Sequence, residues 1–155
     1  MTQVAQEKIA LCQEKQLPYL DLSSLGLTQI PSELSALVWL ERLSLSGNQI
    51  TDIKALASLT KIHKLSLSHN QISDLSPLSN YERLKFLFIQ HNNITDITVL
   101  STLSTLKKIV AHDNQIQNAE KLLSLPHLVY LDISRNPVND LKSLKNMRTL
   151  KIFKA

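Results

Sequence analysis

The chain predicts an α/β solenoid: a stack of short coils, each giving one strand to a parallel sheet, with a helix over the first coil. Three observations carry that expectation. Leucine fills 30 of the 155 positions, an excess that calls for a search for internal repeats before any element is read. Leu40, Ile62, Leu84, Leu106, Leu128 and Leu150 stand 22 residues apart without an insertion. Each of the first five opens the same string, L-x-x-L-x-L-x-x-N-x-I, with Val138 closing the fifth copy.

Residues 1–16 are expected to form the capping helix. Ala5, Ile9 and Cys12 recur at i, i+4 and i+7 with Val4 and Leu11 beside them, while Glu7, Lys8, Glu14 and Lys15 face outward. Cys12 is placed in the buried face, where it packs as a small apolar residue. Residues 17–155 form the array, in one domain with the helix: a 23-residue repeat from Leu17, five of 22 residues, and a partial one from Leu150. The first repeat carries Leu25 where the others carry asparagine. Pro18 fits an edge position beside the first strand, where a missing N–H costs nothing.

Within each repeat, L-x-L is the inward face of a strand of period two, as at Leu43 and Leu45, so the residues between point the other way. Apolar residues then recur every third position, as at Ile53, Leu56, Leu59 and Ile62, which suits a tight 3₁₀ or extended return. Thr51-Asp52, Ser73-Asp74 and Thr95-Asp96 sit where each return begins and are read as caps for free backbone amides. Trp39 reads as a packing residue of the convex side. Asn48, Asn70, Asn92, Asn114 and Asn136 stand where the chain leaves the strand. Their amides can bond backbone groups that the turn would otherwise bury unpaired, so they form a structural ladder and carry no chemistry.

This string, in strict register, resembles the leucine-rich-repeat proteins of the 22-residue class, the class of the protein phosphatase regulatory subunit and the bacterial internalins. The resemblance covers residues 17–155. It implies a right-handed solenoid with a concave parallel sheet and 3₁₀ or extended convex segments, the hand agreeing with the general rule for parallel crossovers. The opening QEKIALCQEKQLPYLDLSSLGLTQIP resembles the start of bacterial arrays and suggests a bacterial source. In this family the variable strand residues form the binding surface, so the resemblance implies a non-catalytic scaffold that holds a protein or peptide.

Composition narrows the field. With Gly26 and Gly47 the only glycines, no glycine-rich phosphate loop can be written, and no nucleotide cofactor is expected. No apolar run reaches the length of a membrane span, and the first residues lack a signal-peptide pattern. One cysteine fits a reducing compartment, so the cytoplasm is the expected location. A net charge of +4 permits an acidic partner and falls short of the usual nucleic-acid footprint.

The residues between the core positions sort into columns across the strands. The third-position column includes Arg42, Lys64, Phe86, Lys108 and Tyr130; the fifth includes Ser44, Ser66, Phe88, Val110 and Asp132. Gln90 and His112 stand in the seventh, Arg135 in the eighth. An outward cluster of Phe86, Phe88, Val110 and Tyr130, ringed by Lys64, Lys85, Lys108, Asp132 and Arg135, has the composition of a binding hot spot. These residues except Lys85, with Arg42, Gln90 and His112, are the candidate partner-binding residues; no catalytic or metal-binding residue is assigned. Two alternatives are weighed against that reading. His69, His91 and Asp113 share the eighth column and form a His-His-carboxylate set of the kind that binds zinc or serves hydrolysis. Lys142, Lys145, Arg148, Lys151 and Lys154 recur every third residue and would eclipse on a 3₁₀ segment, as a stripe for a polyanion. Self-association through the C-terminal edge is a further expectation.

Overall fold

The computed structural model describes residues 2–155. Helix α1 (Gln3–Lys15) starts on Thr2, whose hydroxyl accepts from the Ala5 amide at 3.3 Å, and ends at Gln16 in the left-handed region. It buries only the narrow stripe Ala5, Ile9 and Cys12. Val4 and Leu11, expected beside that stripe, are 47% and 50% exposed, because a single coil edge is not broad enough to receive both flanks.

Seven three-residue strands follow: β1 (Tyr19–Asp21), β2 (Arg42–Ser44), β3 (Lys64–Ser66), β4 (Phe86–Phe88), β5 (Lys108–Val110), β6 (Tyr130–Asp132) and β7 (Ile152–Lys154). They form one parallel sheet in sequence order, and every pair keeps the register of the repeat, so Leu43 meets Leu65 and Leu65 meets Leu87. Short 3₁₀ turns, such as Lys54–Leu56 and Ser76–Leu78, carry the chain back on the other side. The leucines and isoleucines of both sides form one continuous core between these layers. This is the solenoid of short coils that the period predicts, with the single parallel sheet that the resemblance implies.

The asparagines stitch coil to coil. Asn92 accepts from the Ile72 amide at 3.0 Å and donates to the carbonyls of Leu67 at 3.0 Å and Ile89 at 3.1 Å, so one amide ties its own coil to the preceding one. Asn48, Asn70, Asn114 and Asn136 repeat the pattern. Leu25 takes this place in the first coil, where α1 rather than a strand precedes and offers no carbonyl row to bond.

The aspartates cap the returns as Asx turns: Asp52, Asp74 and Asp96 accept from the amides of Lys54, Ser76 and Thr98 at 2.8, 2.8 and 2.7 Å. The carboxylate of each pair makes the cap. Trp39 packs half-buried against the core and donates its Nε1 to the Leu17 carbonyl at 3.2 Å.

The last return differs from the expected 3₁₀ segment. Leu141–Lys145 is a short α-helix, α2, begun by Asp140, whose carboxylate accepts from the Ser143 amide at 3.1 Å and its hydroxyl at 2.5 Å. That cap turns Leu141 outward, 40% exposed, leaving Leu144 as the buried residue of the turn, with Met147 and Leu150 half-buried. The α-helical pitch also removes the eclipsed register expected of Lys142 and Lys145.

Candidate functional site

The candidate site grows from the two residues of each strand that point away from the core. Cross-strand register places Arg42, Lys64, Phe86 and Lys108 side by side in one row, and Ser44, Ser66, Phe88 and Val110 in the next. Neighbouring strands lie about 4.8 Å apart, so these side chains must either stack or fan out. They stack. The Lys64 ammonium sits 5.8 Å from the Phe88 ring centre, Lys108 lies 5.5 Å from Phe88 and 4.2 Å from Tyr130, and Lys154 lies 5.9 Å from Tyr130. Arg42 covers Tyr19 at 5.2 Å. Each exposed contact of this kind contributes about 0.5–1 kcal/mol. That is less than the roughly 1.5–3 kcal/mol of a hydrogen bond to a charged group, so an arriving anion can draw these cations from the rings.

Beside Phe88 the sheet is hollow. Ser44 and Ser66 are too small to fill the space that a phenylalanine fills one strand later, and Tyr19, Asp21, Arg42, Lys64 and Phe88 wall an open groove of about 420 Å³. The serine hydroxyls of its surroundings bond one another, Ser46 with Ser66 at 2.6 Å and Ser68 with Ser46 at 2.9 Å. The sequence points to the aromatic cluster but not to this groove, and Tyr19, which opens the third-position column and is 51% exposed, is not among the expected contact residues. The signal was present in the run of small serines next to a large residue.

Two of the expected contact residues are covered. Val110 is only 8% exposed, because Phe88 and Lys108 beside it stand taller than its short branched side chain. Asp132 is 5% exposed and caps its own strand end, accepting from the Ser134 hydroxyl at 2.6 Å and amide at 3.2 Å, with Lys154 at 3.7 Å. Asp21 makes the same turn with Ser23 at the other end of the sheet. The spacing D-x-S appears in both places and is the mark of this cap. Phe86, Phe88, Lys108 and Tyr130 are half-buried, while Arg42 and Lys64 are exposed. Gln90 is half-buried, and its Oε1 is shielded without a hydrogen-bond partner among the described residues.

The eighth column has a backbone reason for its composition. Ser24, Gly47, His69, His91, Asp113 and Arg135 all lie in the left-handed region, with φ between 53° and 69°. Histidine and aspartate tolerate that region better than most residues. At Gly47 a Cβ would also stand 2.8 Å from the Ser24 hydroxyl, so glycine suits both requirements. The column turns its side chains onto one rim of the sheet, where His69 stacks on His91 with ring centres 4.2 Å apart.

The donor atoms that come together there differ from the alternative set of His69, His91 and Asp113. His91, His112 and Asp113 bring ligand atoms within 4.8 Å of one another, and His69 stands outside the set. Asp113 is already engaged: Arg135 donates to both of its oxygens, through Nε at 2.5 Å and through Nη2, and His112 Nδ1 lies 2.5 Å from it. Those hydrogen bonds, from Arg135 first, hold the Asp113 carboxyl well below the usual carboxylate range. A divalent ion would have to displace a guanidinium to reach this carboxylate. Arg135 and His112 are thus parts of an ion-paired rim.

A family profile described as Leucine Rich repeats (2 copies) matches residues 38–80 and 60–104, and another described as Leucine Rich repeat matches residues 124–141. Together these matches cover more than half of the chain. Among solved structures, the chain is similar to an internalin of Listeria monocytogenes with 28% identity and a TM-score of 0.87, covering 95% of this chain and 43% of that one. A leucine-rich-repeat protein of Leptospira interrogans matches with 25% identity and a TM-score of 0.80, covering 93% of this chain and 38% of the other. A plant peptide hormone receptor, solved in complex with RGF2, matches with 27% identity and a TM-score of 0.71, covering 89% of this chain and 24% of the receptor. The chain therefore spans less than half the length of each of these proteins. Comparison with curated proteins gives no match. The bacterial source suggested by the opening segment agrees with the internalin match.

Proposed function

The chain belongs to the leucine-rich-repeat family, and from that membership we propose that it is a non-catalytic scaffold that holds one protein or peptide partner on its concave sheet. One observation carries this reading: Lys64, Phe88, Lys108 and Tyr130 form a continuous outward strip of interleaved cations and rings on neighbouring strands. Rings that a partner can desolvate, with charges around them, are what a binding surface needs. The similarity to a receptor solved with its peptide hormone ligand supports a partner of this class. The mechanism is preorganisation. The ladder of backbone and asparagine bonds fixes each strand before a partner arrives, so docking orders few groups of the scaffold.

The same proposal assigns no cofactor and places the protein in the cytoplasm, the latter on its single unpaired and buried thiol, Cys12. Leu141 and Ile152, both exposed near the outer strand β7, support self-association as a secondary contact.

Phe88→Asp tests the reading. It puts a charge in the middle of the strip at a half-buried position outside the core, so partner capture is expected to fall at least tenfold while the melting temperature and far-UV spectrum hardly change. Unchanged capture, or a collapse of stability in place of capture, would return Phe88 to a packing role.

A further inference from the structure

Resting on the scaffold reading above, we infer that the partner segment is acidic and extended, with carboxylates on both sides of an apolar residue that seats on Phe88. The charge of the face is the first observation. Among the described residues four cations find carboxylates: Lys15 pairs with Glu14, Lys54 with Asp52, Arg135 with Asp113 and, at the far end of this face, Lys154 with Asp132. Among the described residues Arg42, Lys64 and Lys108 have no such partner within 4.0 Å and lean on rings instead. The two aspartates of the same face are engaged by their own serines. Asp132 is buried on Ser134, and Asp21 accepts from the Ser23 amide and hydroxyl while Lys8 donates to its backbone carbonyl at 2.9 Å. Three cations therefore face the partner against one carboxylate, Asp21, at the groove wall.

Their spacing is the second observation. Arg42 and Lys64 are direct neighbours in register and flank the serine-floored groove, Phe88 walls its far side, and Lys108 stands one strand beyond. With about 4.8 Å between strands, the midpoint of Arg42 and Lys64 lies about 7 Å from Phe88 and about 12 Å from Lys108 along the sheet. Alternate side chains of an extended segment repeat every 6.6–6.8 Å or so, which brings position i+2 to about 7 Å and i+4 to about 13 Å. A segment crossing the strands thus sets a carboxylate between Arg42 and Lys64, an apolar side chain on Phe88, and a second carboxylate at Lys108. The pattern is acidic-x-apolar-x-acidic.

Selection from a library of random dodecapeptides displayed on phage, with the intact protein as bait, tests this directly. Enriched peptides are expected to carry that pattern. Their affinity should fall at least tenfold on Lys64→Glu, an exposed position where folding is not at stake, and fall again as salt screens the cations. Enriched peptides without an acidic excess, yet dependent on Phe88, would overturn the acidic partner and leave the scaffold reading intact. Peptides that bind Phe88→Asp as well as wild type, or no enrichment at all, would overturn both. A labelled oligothymidylate that binds more tightly than the peptides, through the same lysines, would replace the acidic protein segment with nucleic acid.

Discussion

At the scale of single residues, the asparagines decide how firmly one coil holds the next. Asn92 is 7% exposed and its side chain makes four backbone bonds, two of them to the preceding coil. Truncation to alanine strands the Ile72 amide in a dry interior, and the loss is expected to cost about 2–4 kcal/mol, read as a lower urea midpoint. Asn136 makes equivalent bonds in a half-buried site where water can substitute, so Asn136→Ala is expected to cost clearly less. Equal losses at the two positions would mean that coil stability does not depend on burial of the amide. Tyr81 shows the same economy in a place that pattern reading passes over. It fills a leucine position of the convex core, fully buried, and its hydroxyl donates to the Leu56 carbonyl at 2.8 Å. Burial pushes its phenol above the usual tyrosine range, which keeps it neutral and donating.

At the scale of the element, the turn after each strand explains what the sequence made visible and what it hid. The 22-residue period fixed strand register and the inward face, because alternation along a strand leaves only two choices. Half-burial at the outward face followed from relative height among neighbours, and that is why Val110 was expected outside and Phe88 was expected bare. The left-handed backbone of the eighth column has no mark in a single repeat, although Gly47 in one copy hints at it. So His69, His91 and Asp113 read as a ligand set when their common feature is a turn. This rim makes stability depend on pH. His91 is held below its ordinary value of 6.5, chiefly by loss of solvation; Asp113 opposes that shift, and His69, His112 and Arg135 add to it. The unfolded chain therefore takes up this proton first, and stability present above pH 6.5 is lost as pH falls below it. Asp113, held below the usual carboxylate range, loses its contribution in the same direction but only in stronger acid, where its unfolded form begins to take up a proton, so it does not enter this range. The melting temperature is expected to drop between pH 7.5 and pH 5.5, and to drop less in His91→Gln; an identical profile for that variant would remove His91 from the account.

At the scale of the whole molecule, a stack of coils in which each touches only its neighbours cannot be equally stable throughout. Inner strands lie between two coils, and their central residues Leu65, Leu87 and Ile109 are fully buried. β1 has a neighbour on one side and α1 against it, which buries Ala5, Ile9 and Cys12 at that end. β7 pairs only with β6; its central Phe153 is half-buried and Ile152 is 48% exposed. The free energy of opening should therefore be greatest in β3 to β5, lower in β1 and lowest in β7. Hydrogen exchange read by mass spectrometry is expected to follow that order, with amides of β7 exchanging first. The same gradient favours the proposed site. Lys64, Phe88 and Lys108 belong to β3, β4 and β5, so the centre of the binding strip stands on the coils that open least. Uniform exchange from β1 to β7 would mean that the array unfolds as one unit, and the rigidity of the strip would then depend on the ends as much as on the centre.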